Sequence, residues 1–151
     1  MNVVSISSHS KQERGQSLVE LAISLMVILI LLTGAVETGL ALFQYVTMRD
    51  AAQEGALYGS FNPPIDADTE AAIKNRVIDA ASDILPLAPG DITLTVNGGA
   101  CEGLTGGVPN SLTVTIEFEH PVTMPIIGAW IGQTIDLTAG VTDTILSPVC
   151  P

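Results

Sequence analysis

Residues 21–36 read LAISLMVILILLTGAV, a run of sixteen residues without a charged side chain. Glu20 and Glu37 bracket the run, and the milder stretch TGLALFQYVTM continues it to Met48. A helix of about 20 apolar residues spans a bilayer core, where no water can satisfy the backbone. The rise from Glu20 to Glu37 is about 25 Å, which places the two carboxylates near opposite edges of the hydrocarbon. The run therefore predicts a membrane-spanning helix rather than a core helix, because the remaining chain is too small to surround it.

The whole chain combines 47% hydrophobic residues with a formal net charge of −11 over 151 residues. This length fits one or at most two small domains. Five basic residues against sixteen acidic ones cannot neutralise many phosphates, which excludes nucleic acid as a partner. Low charge content with high hydrophobicity also argues against wholesale disorder. The acidic residues lie mainly after Asp50, where twelve of them face only two basic residues, Lys74 and Arg76.

The charges that flank the apolar run predict its orientation. Lys11 and Arg14 precede the run, within the window of the positive-inside rule. We therefore expect a single-pass membrane protein with a cytoplasmic amino terminus and an exported, acidic carboxy-terminal part. Cys101 and Cys150 both belong to the exported part. An oxidising compartment permits them to form a disulfide, and two free thiols are the alternative.

This amino-terminal segment could be cleaved after the apolar run, cleaved before it, or left uncleaved. Cleavage after the run, at Thr33-Gly34-Ala35, would release a soluble product such as a secreted enzyme. In such a secretory signal, however, Glu20 would lie inside the beginning of the apolar region, where a charge is unfavourable. Cleavage before the run would leave the helix on the mature chain. Of the fourteen glycines, only Gly15 is followed five residues later by a glutamate, and it lies where the polar leader meets the helix. An uncleaved signal anchor is the third possibility.

Residues 15–59, GQSLVELAISLMVILILLTGAVETGLALFQYVTMRDAAQEGALYG, resemble the TadE-like minor pilins or pseudopilins of tight-adherence (Flp, type IV pilus-like) systems. The GQSLVE start, the VETG motif with Glu37 and the block AAQEGALYG carry the resemblance. It implies that a prepilin peptidase removes residues 1–15 as a leader, so that Gln16 becomes the amino terminus and Glu20 the fifth mature residue. It also implies other pilin subunits, self or heterologous, and the inner-membrane assembly machinery as partners. The expected locations are the membrane and then the pilus, with roles in pilus biogenesis and adhesion.

Glu20 needs a partner wherever it leaves water. A carboxylate that is buried alone in lipid costs several kcal/mol, and a nearby cation lowers this cost. Cleavage would create such a cation, the α-amine of Gln16, which is charged at neutral pH. The resemblance implies that Glu20 pairs with this amine on a neighbouring subunit, while a carboxylate snorkelling to the membrane surface is the alternative. For Glu37 two environments remain open, the outer headgroups or a polar contact within the assembly.

Small residues recur four apart along the expected long helix of residues 16–60. One set is Ala35 and Gly39, and the other comprises Ala51, Gly55 and Gly59. This spacing lines one face and allows close approach between helices, so we assign both sets to assembly, with local fraying as the alternative. Asn62-Pro63-Pro64 should end the helix, because proline cannot donate and restrains the preceding residue.

Residues 65–151 are expected to form an exported α+β domain. Asp66 or Asp68 can cap a helix that runs to about Leu85. Its apolar stripe comprises Ile73, Val77, Ala80, Ala81 and Ile84. Alternating apolar and polar residues around Leu94, Val114 and Leu137 predict strands with one buried face. The expected architecture is one helix packed on an antiparallel sheet of about three to four strands, which follows the long hydrophobic helix.

Residues that could carry chemistry are scarce. The only histidines are His9 and His120, and no zinc spacing, phosphate-binding loop or nucleophile motif occurs. We therefore expect no metal, no cofactor and no catalytic residue, and we assign Glu117 and Glu119 to a solvated sheet face. The apolar segment Met124–Ile131 either forms an interaction patch or covers the domain's own core; its large side chains are Met124, Ile126, Ile127, Trp130 and Ile131. These features predict a structural pilus subunit; a membrane-anchored binding or adhesin module that does not polymerise is the alternative.

Overall fold

A single long helix dominates the computed structural model, which describes residues 9–98, 110–124, 128–129 and 132–146, with side chains from Gly15 onward. This helix, α1, spans His9–Phe61. At its end the backbone N–H of Asn62 donates to the carbonyl of Tyr58 at 3.0 Å, and the two prolines that follow cannot extend the ladder. The helix therefore stops where the Asn-Pro-Pro sequence predicted.

The second helix, α2, spans Ala67–Ala81 and begins with a capping box. The Asp66 carboxylate accepts from the backbone N–H of Thr69 at 2.8 Å, and the Thr69 hydroxyl accepts from the N–H of Asp66 at 3.2 Å. Asp66 is thus the cap, one of the two candidates that the sequence offered. The helix ends four residues before the expected Leu85, because the N–H and hydroxyl of Ser82 both turn back to the carbonyl of Asp79.

Three antiparallel strands form one sheet in the order β1-β2-β3, with β1 at Ile92–Asn97, β2 at Ser111–Pro121 and β3 at Thr134–Thr144. A short 3-10 turn, Pro89–Asp91, leads into β1. In β2 the residues Leu112, Val114 and Ile116 face inward and are fully buried. The alternating pattern therefore predicted the buried faces correctly, and the α+β architecture of a long helix, a short helix and an antiparallel sheet is confirmed.

The hydrophobic core draws on both helices and all three strands. The distal half of α1 packs against α2, β2 and β3, so it is an internal element of the folded domain as well as a continuation of the apolar helix. Close packing of its small side chains brings the α1 backbone near its neighbours. The buried apolar residues of α1 are Met48, Ala51, Ala52 and Ala56, and α2 contributes Ile73, Val77 and Ala81.

Gly55 lies on the side of α1 that packs against α2, and a Cβ atom there would collide with Cγ2 of Val77. Valine has little rotamer freedom with which to yield. Overpacking costs about 1–3 kcal/mol and exceeds the gain of up to about 1 kcal/mol in helix propensity, so Gly55→Ala should lower the free energy of unfolding by about 1 kcal/mol. Thermal unfolding of the full chain in detergent measures this.

Gly39 on the same helix provides the matched control, since no neighbouring atom lies within 4 Å of its added Cβ. Gly39→Ala should leave the stability unchanged or raise it by up to about 1 kcal/mol. Equal effects of the two substitutions would contradict this account of the α1–α2 contact.

Candidate functional site

The first half of α1 is an apolar surface that the folded domain leaves uncovered. Its most apolar 18-residue window has a mean hydropathy of 2.5 and is 0% buried, so among the described residues this one helix is long and apolar enough to cross a membrane. Leu31, for example, is 69% exposed. So much apolar surface requires a non-aqueous environment, which indicates membrane anchoring.

The residues of the expected processing site lie at the start of this surface. Gly15, Gln16 and Glu20 are all exposed and helical. Glu20 forms no hydrogen bond or ion pair with any part of the chain that the structure describes. Its pairing with the α-amine of Gln16 on a neighbouring subunit stays a prediction. Processing at Gly15 stays a prediction.

The two sets of small residues lie on opposite faces of α1. Successive helical residues rotate by about 100°, so Gly55 lies about 160° around the axis from Gly39. Ala35 and Gly39 are exposed on the face that points away from the domain. The distal set is buried inside the chain, where Gly59 contacts Leu112 as Gly55 contacts Val77. The expected close approach of Ala51, Gly55 and Gly59 is thus made to the chain's own α2 and β2, and a role between subunits stays a prediction.

A buried polar cluster joins α1 to the end of the sheet immediately above the apolar run. Glu37, only 3% exposed, accepts hydrogen bonds from the Thr123 backbone N–H at 3.0 Å and from the Thr123 hydroxyl at 2.8 Å. Nε2 of His120, also 3% exposed, donates to Oε1 of Glu37 at 3.1 Å. Nδ1 of His120 lies 2.6 Å from Oε1 of Gln44, one helical heptad above Glu37. We call Glu37, Gln44, His120 and Thr123 the polar clasp.

The polar clasp favours the ionised form of Glu37, which lies outside the charge-free run of residues 21–36. The N–H and hydroxyl of Thr123, followed by the hydrogen bond and the charge interaction with His120, hold the pKa of the Glu37 carboxyl below its ordinary value of 4.5. Burial acts in the opposite direction but is outweighed. The clasp therefore satisfies a buried carboxylate that would be costly to leave without hydrogen bonds.

Sequence reasoning missed this cluster, although two signals pointed to it. His120 continues the inward, every-second-residue face of β2 beyond Ile116 and Phe118. Glu37 and Gln44 precede the buried Ala51 at intervals of seven, so they share its side of α1. The polar contacts that the structure gives Glu37 are made within the chain, and a contact of Glu37 within the assembly stays a prediction.

Several other sequence predictions can be compared with the structure only in part. Cys101 and Cys150 lie outside the described residues, so their pairing stays a prediction. Of the apolar segment, Ile126, Ile127, Trp130 and Ile131 also lie outside them, while Met124 is half-buried and its carbonyl accepts from the N–H of Gly128.

The outer sheet face carries the exposed carboxylates. Glu117 and Glu119 are exposed on β2, and Glu119 lies directly opposite Asp136 of β3. Like charges directly opposite each other on neighbouring strands repel, which fits the solvated sheet face that the sequence predicted. Within the described ranges no group of three or more His, Cys, Asp or Glu side chains could hold a metal ion.

Comparison with known proteins supports the reading of the amino-terminal helix. Residues 15–57 match the family model described as TadE-like protein. No curated protein and no solved structure matches the chain. The matched region begins at the expected processing glycine and contains Glu20, Glu37 and Gln44. This family is one that is associated with tight-adherence pili. Residues 15–57 of the amino-terminal helix are therefore similar to TadE-like proteins, as the resemblance implied.

Proposed function

We propose that the chain is a structural subunit, a minor pilin or pseudopilin, of a tight-adherence pilus. The observation that carries the proposal is the exposed apolar half of α1, which starts with the exposed Glu20 and lies within the TadE-like match. Lipid covers this surface before assembly, and the helices of other subunits cover it afterwards. The polar clasp and the core hold the domain rigidly on the distal half of the same helix.

Removal of residues 1–15 prepares the subunit for assembly in this proposal. Cleavage after Gly15 places the α-amine of Gln16 four residues from Glu20, about 6 Å along the helix. Within one chain the amine and the carboxylate are thus separated axially, and a neighbour shifted along the axis brings its amine to the level of Glu20. This pairing would select one register, since other registers leave two charges unpaired in an apolar environment.

The mass of the mature amino terminus tests the processing step. Protein purified from membranes of the producing cells should begin at Gln16, and Gly15→Leu should leave residues 1–15 attached, because the peptidase that recognises this junction requires the glycine. Gly34→Leu is the matched control, since it alters the only other candidate cleavage region, and it should leave the Gln16 terminus unchanged. A mature chain that begins after Ala35, or an unprocessed wild-type chain, would refute the proposal.

A further inference from the structure

An open groove of about 640 Å³ runs between α1 and the end of α2. Its apolar lining includes Phe43 and Val46 from α1, which are 55% and 47% exposed. On the other side are Ala80 and Ile84, two residues that the sequence assigned to the buried stripe of α2 but that the structure leaves exposed. The early end of α2 at Ser82 turns Leu85 into the core and leaves Ile84 beside the groove.

The rim of this groove is acidic. Asp50 and Asp79 are exposed along it, and Glu54 and Arg76 form an ion pair across it, with Nε of Arg76 2.9 Å from Oε1 of Glu54. Because the one basic group in the lining is already paired, the two aspartates leave the groove with a negative charge. An occupant that covers the apolar floor would gain from basic side chains at the level of these aspartates.

The groove continues the lipid-facing surface of α1. Leu25, Leu29, Leu32 and Val36 recur at intervals of three or four, are more than half exposed, and lie on the same side of the helix as Phe43. A second apolar helix that packs along this stripe in the membrane would enter the groove when it continues upward, because the stripe and the groove floor form one contiguous surface. The groove is therefore shaped and placed for a helix rather than for an extended peptide.

We propose that this groove binds the apolar amino-terminal helix of a different pilus subunit, one that carries basic side chains at the level of Asp50 and Asp79. The inference rests on the proposed function and names its partner. A second copy of this chain fits less well. Residues 1–15 carry a net charge of +1, so the mature chain carries −12, and near this level its own helix offers Asp50 and Glu54 against the single basic Arg49. Charge thus favours a heterologous neighbour on this face.

Site-specific photo-crosslinking in the producing cells tests the groove. A benzoylphenylalanine introduced at Ile84 should form an adduct whose crosslinked peptide maps to the amino-terminal helix of another subunit with Lys or Arg within two turns. The same probe at Ala71, an exposed residue of α2 outside the groove, should not form this adduct. An adduct with a second copy, with lipid alone, or with equal yield at both positions would overturn the inference, as would the absence of any adduct.

Charge reversal at the acidic rim provides a second test of the groove. Asp79→Lys should lower the yield of the Ile84 adduct by about fivefold, the effect of losing about one ion pair. Asp68→Lys, at an exposed position of the first turn of α2, should leave the yield unchanged. Equal yields in both variants would contradict a role of the acidic rim in binding.

If the wild-type chain is absent from filaments, the proposed function fails. If the chain is present in filaments and the Ile84 probe captures no subunit helix, only the groove assignment fails.

Discussion

Replacing His120 with alanine should lower the free energy of unfolding of the domain by about 2–4 kcal/mol. The substitution removes a buried ring together with its contacts to Glu37 and Gln44, so it leaves a cavity and takes one of three hydrogen bonds from the Glu37 carboxylate. For a domain of this size the loss corresponds to a fall in melting temperature of roughly 10 °C or more. Thermal unfolding of the full chain in detergent, followed by near-ultraviolet circular dichroism, measures it.

Glu119→Ala is the matched control for this prediction. Glu119 neighbours His120 on β2 but is exposed on the opposite face beside Asp136, so its removal should be neutral or slightly stabilising. A double-mutant cycle with Glu37→Gln and His120→Ala should be non-additive, since each substitution breaks the same contact. Additive effects, or a His120→Ala chain as stable as the control, would contradict the clasp.

The clasp also determines how the chain responds to acid. A carboxyl whose pKa is lowered by folding stabilises the folded state fully above its unfolded pKa, and this contribution is lost as pH falls through the lower folded pKa. Glu37 and Asp66 both have a lowered pKa, Asp66 because of the Thr69 backbone N–H and hydroxyl. Stability should therefore fall as pH drops below their ordinary values of 4.5 and 3.8. Glu37→Gln should make this loss of stability at low pH smaller. If stability depends on pH in the same way in the variant and in the wild type, Glu37 is not ionised in the folded chain.

Glu20→Ala should reduce incorporation of the subunit into filaments by about tenfold or more, while insertion into the membrane is unchanged. Without Glu20, the α-amine of a neighbouring Gln16 would lose its partner in an apolar environment, at a cost above the 1.4 kcal/mol that corresponds to tenfold. Glu20 is exposed and remote from the folded domain, so the substitution should not alter the melting temperature. Quantitative immunoblots of sheared filaments and of membranes, with wild-type chain as reference, measure the ratio.

Ser24→Ala, one turn further along the exposed helix, serves as the control for Glu20→Ala and should be incorporated normally. Glu20→Asp keeps the charge and should restore part of the incorporation. Normal incorporation of Glu20→Ala would refute the pairing with Gln16 even if the chain is a filament subunit.

Local signals in the sequence were sufficient for the elements of the fold. The charge-free run, the Asn62-Pro63-Pro64 stop and the alternation in β2 each depend on neighbouring residues, and each is matched by the structure. The end of α2 was wrong by four residues because the hydroxyl of Ser82 competes for a backbone carbonyl, which the apolar stripe does not reveal. Ala80 and Ile84 were consequently assigned to the interior although both are exposed.

Contacts between distant residues were beyond the reach of such signals. Glu37 and His120 are 83 residues apart, and their meeting depends on how α1 crosses the sheet. For the same reason the spacing of Gly55 and Gly59 predicted a close approach but not its partner, which is the chain itself. The domain expected at residues 65–151 likewise gives no sign in its own sequence that Met48 and Ala52 of α1 belong to its core.

Mass spectrometry of sheared surface filaments tests the central claim most directly. If the chain is a pilus subunit, purified filaments should contain it, and its amino-terminal peptide should begin at Gln16. Filaments that lack this chain, made by cells whose membranes contain it, would contradict the claim and favour a membrane-anchored binding module that does not polymerise.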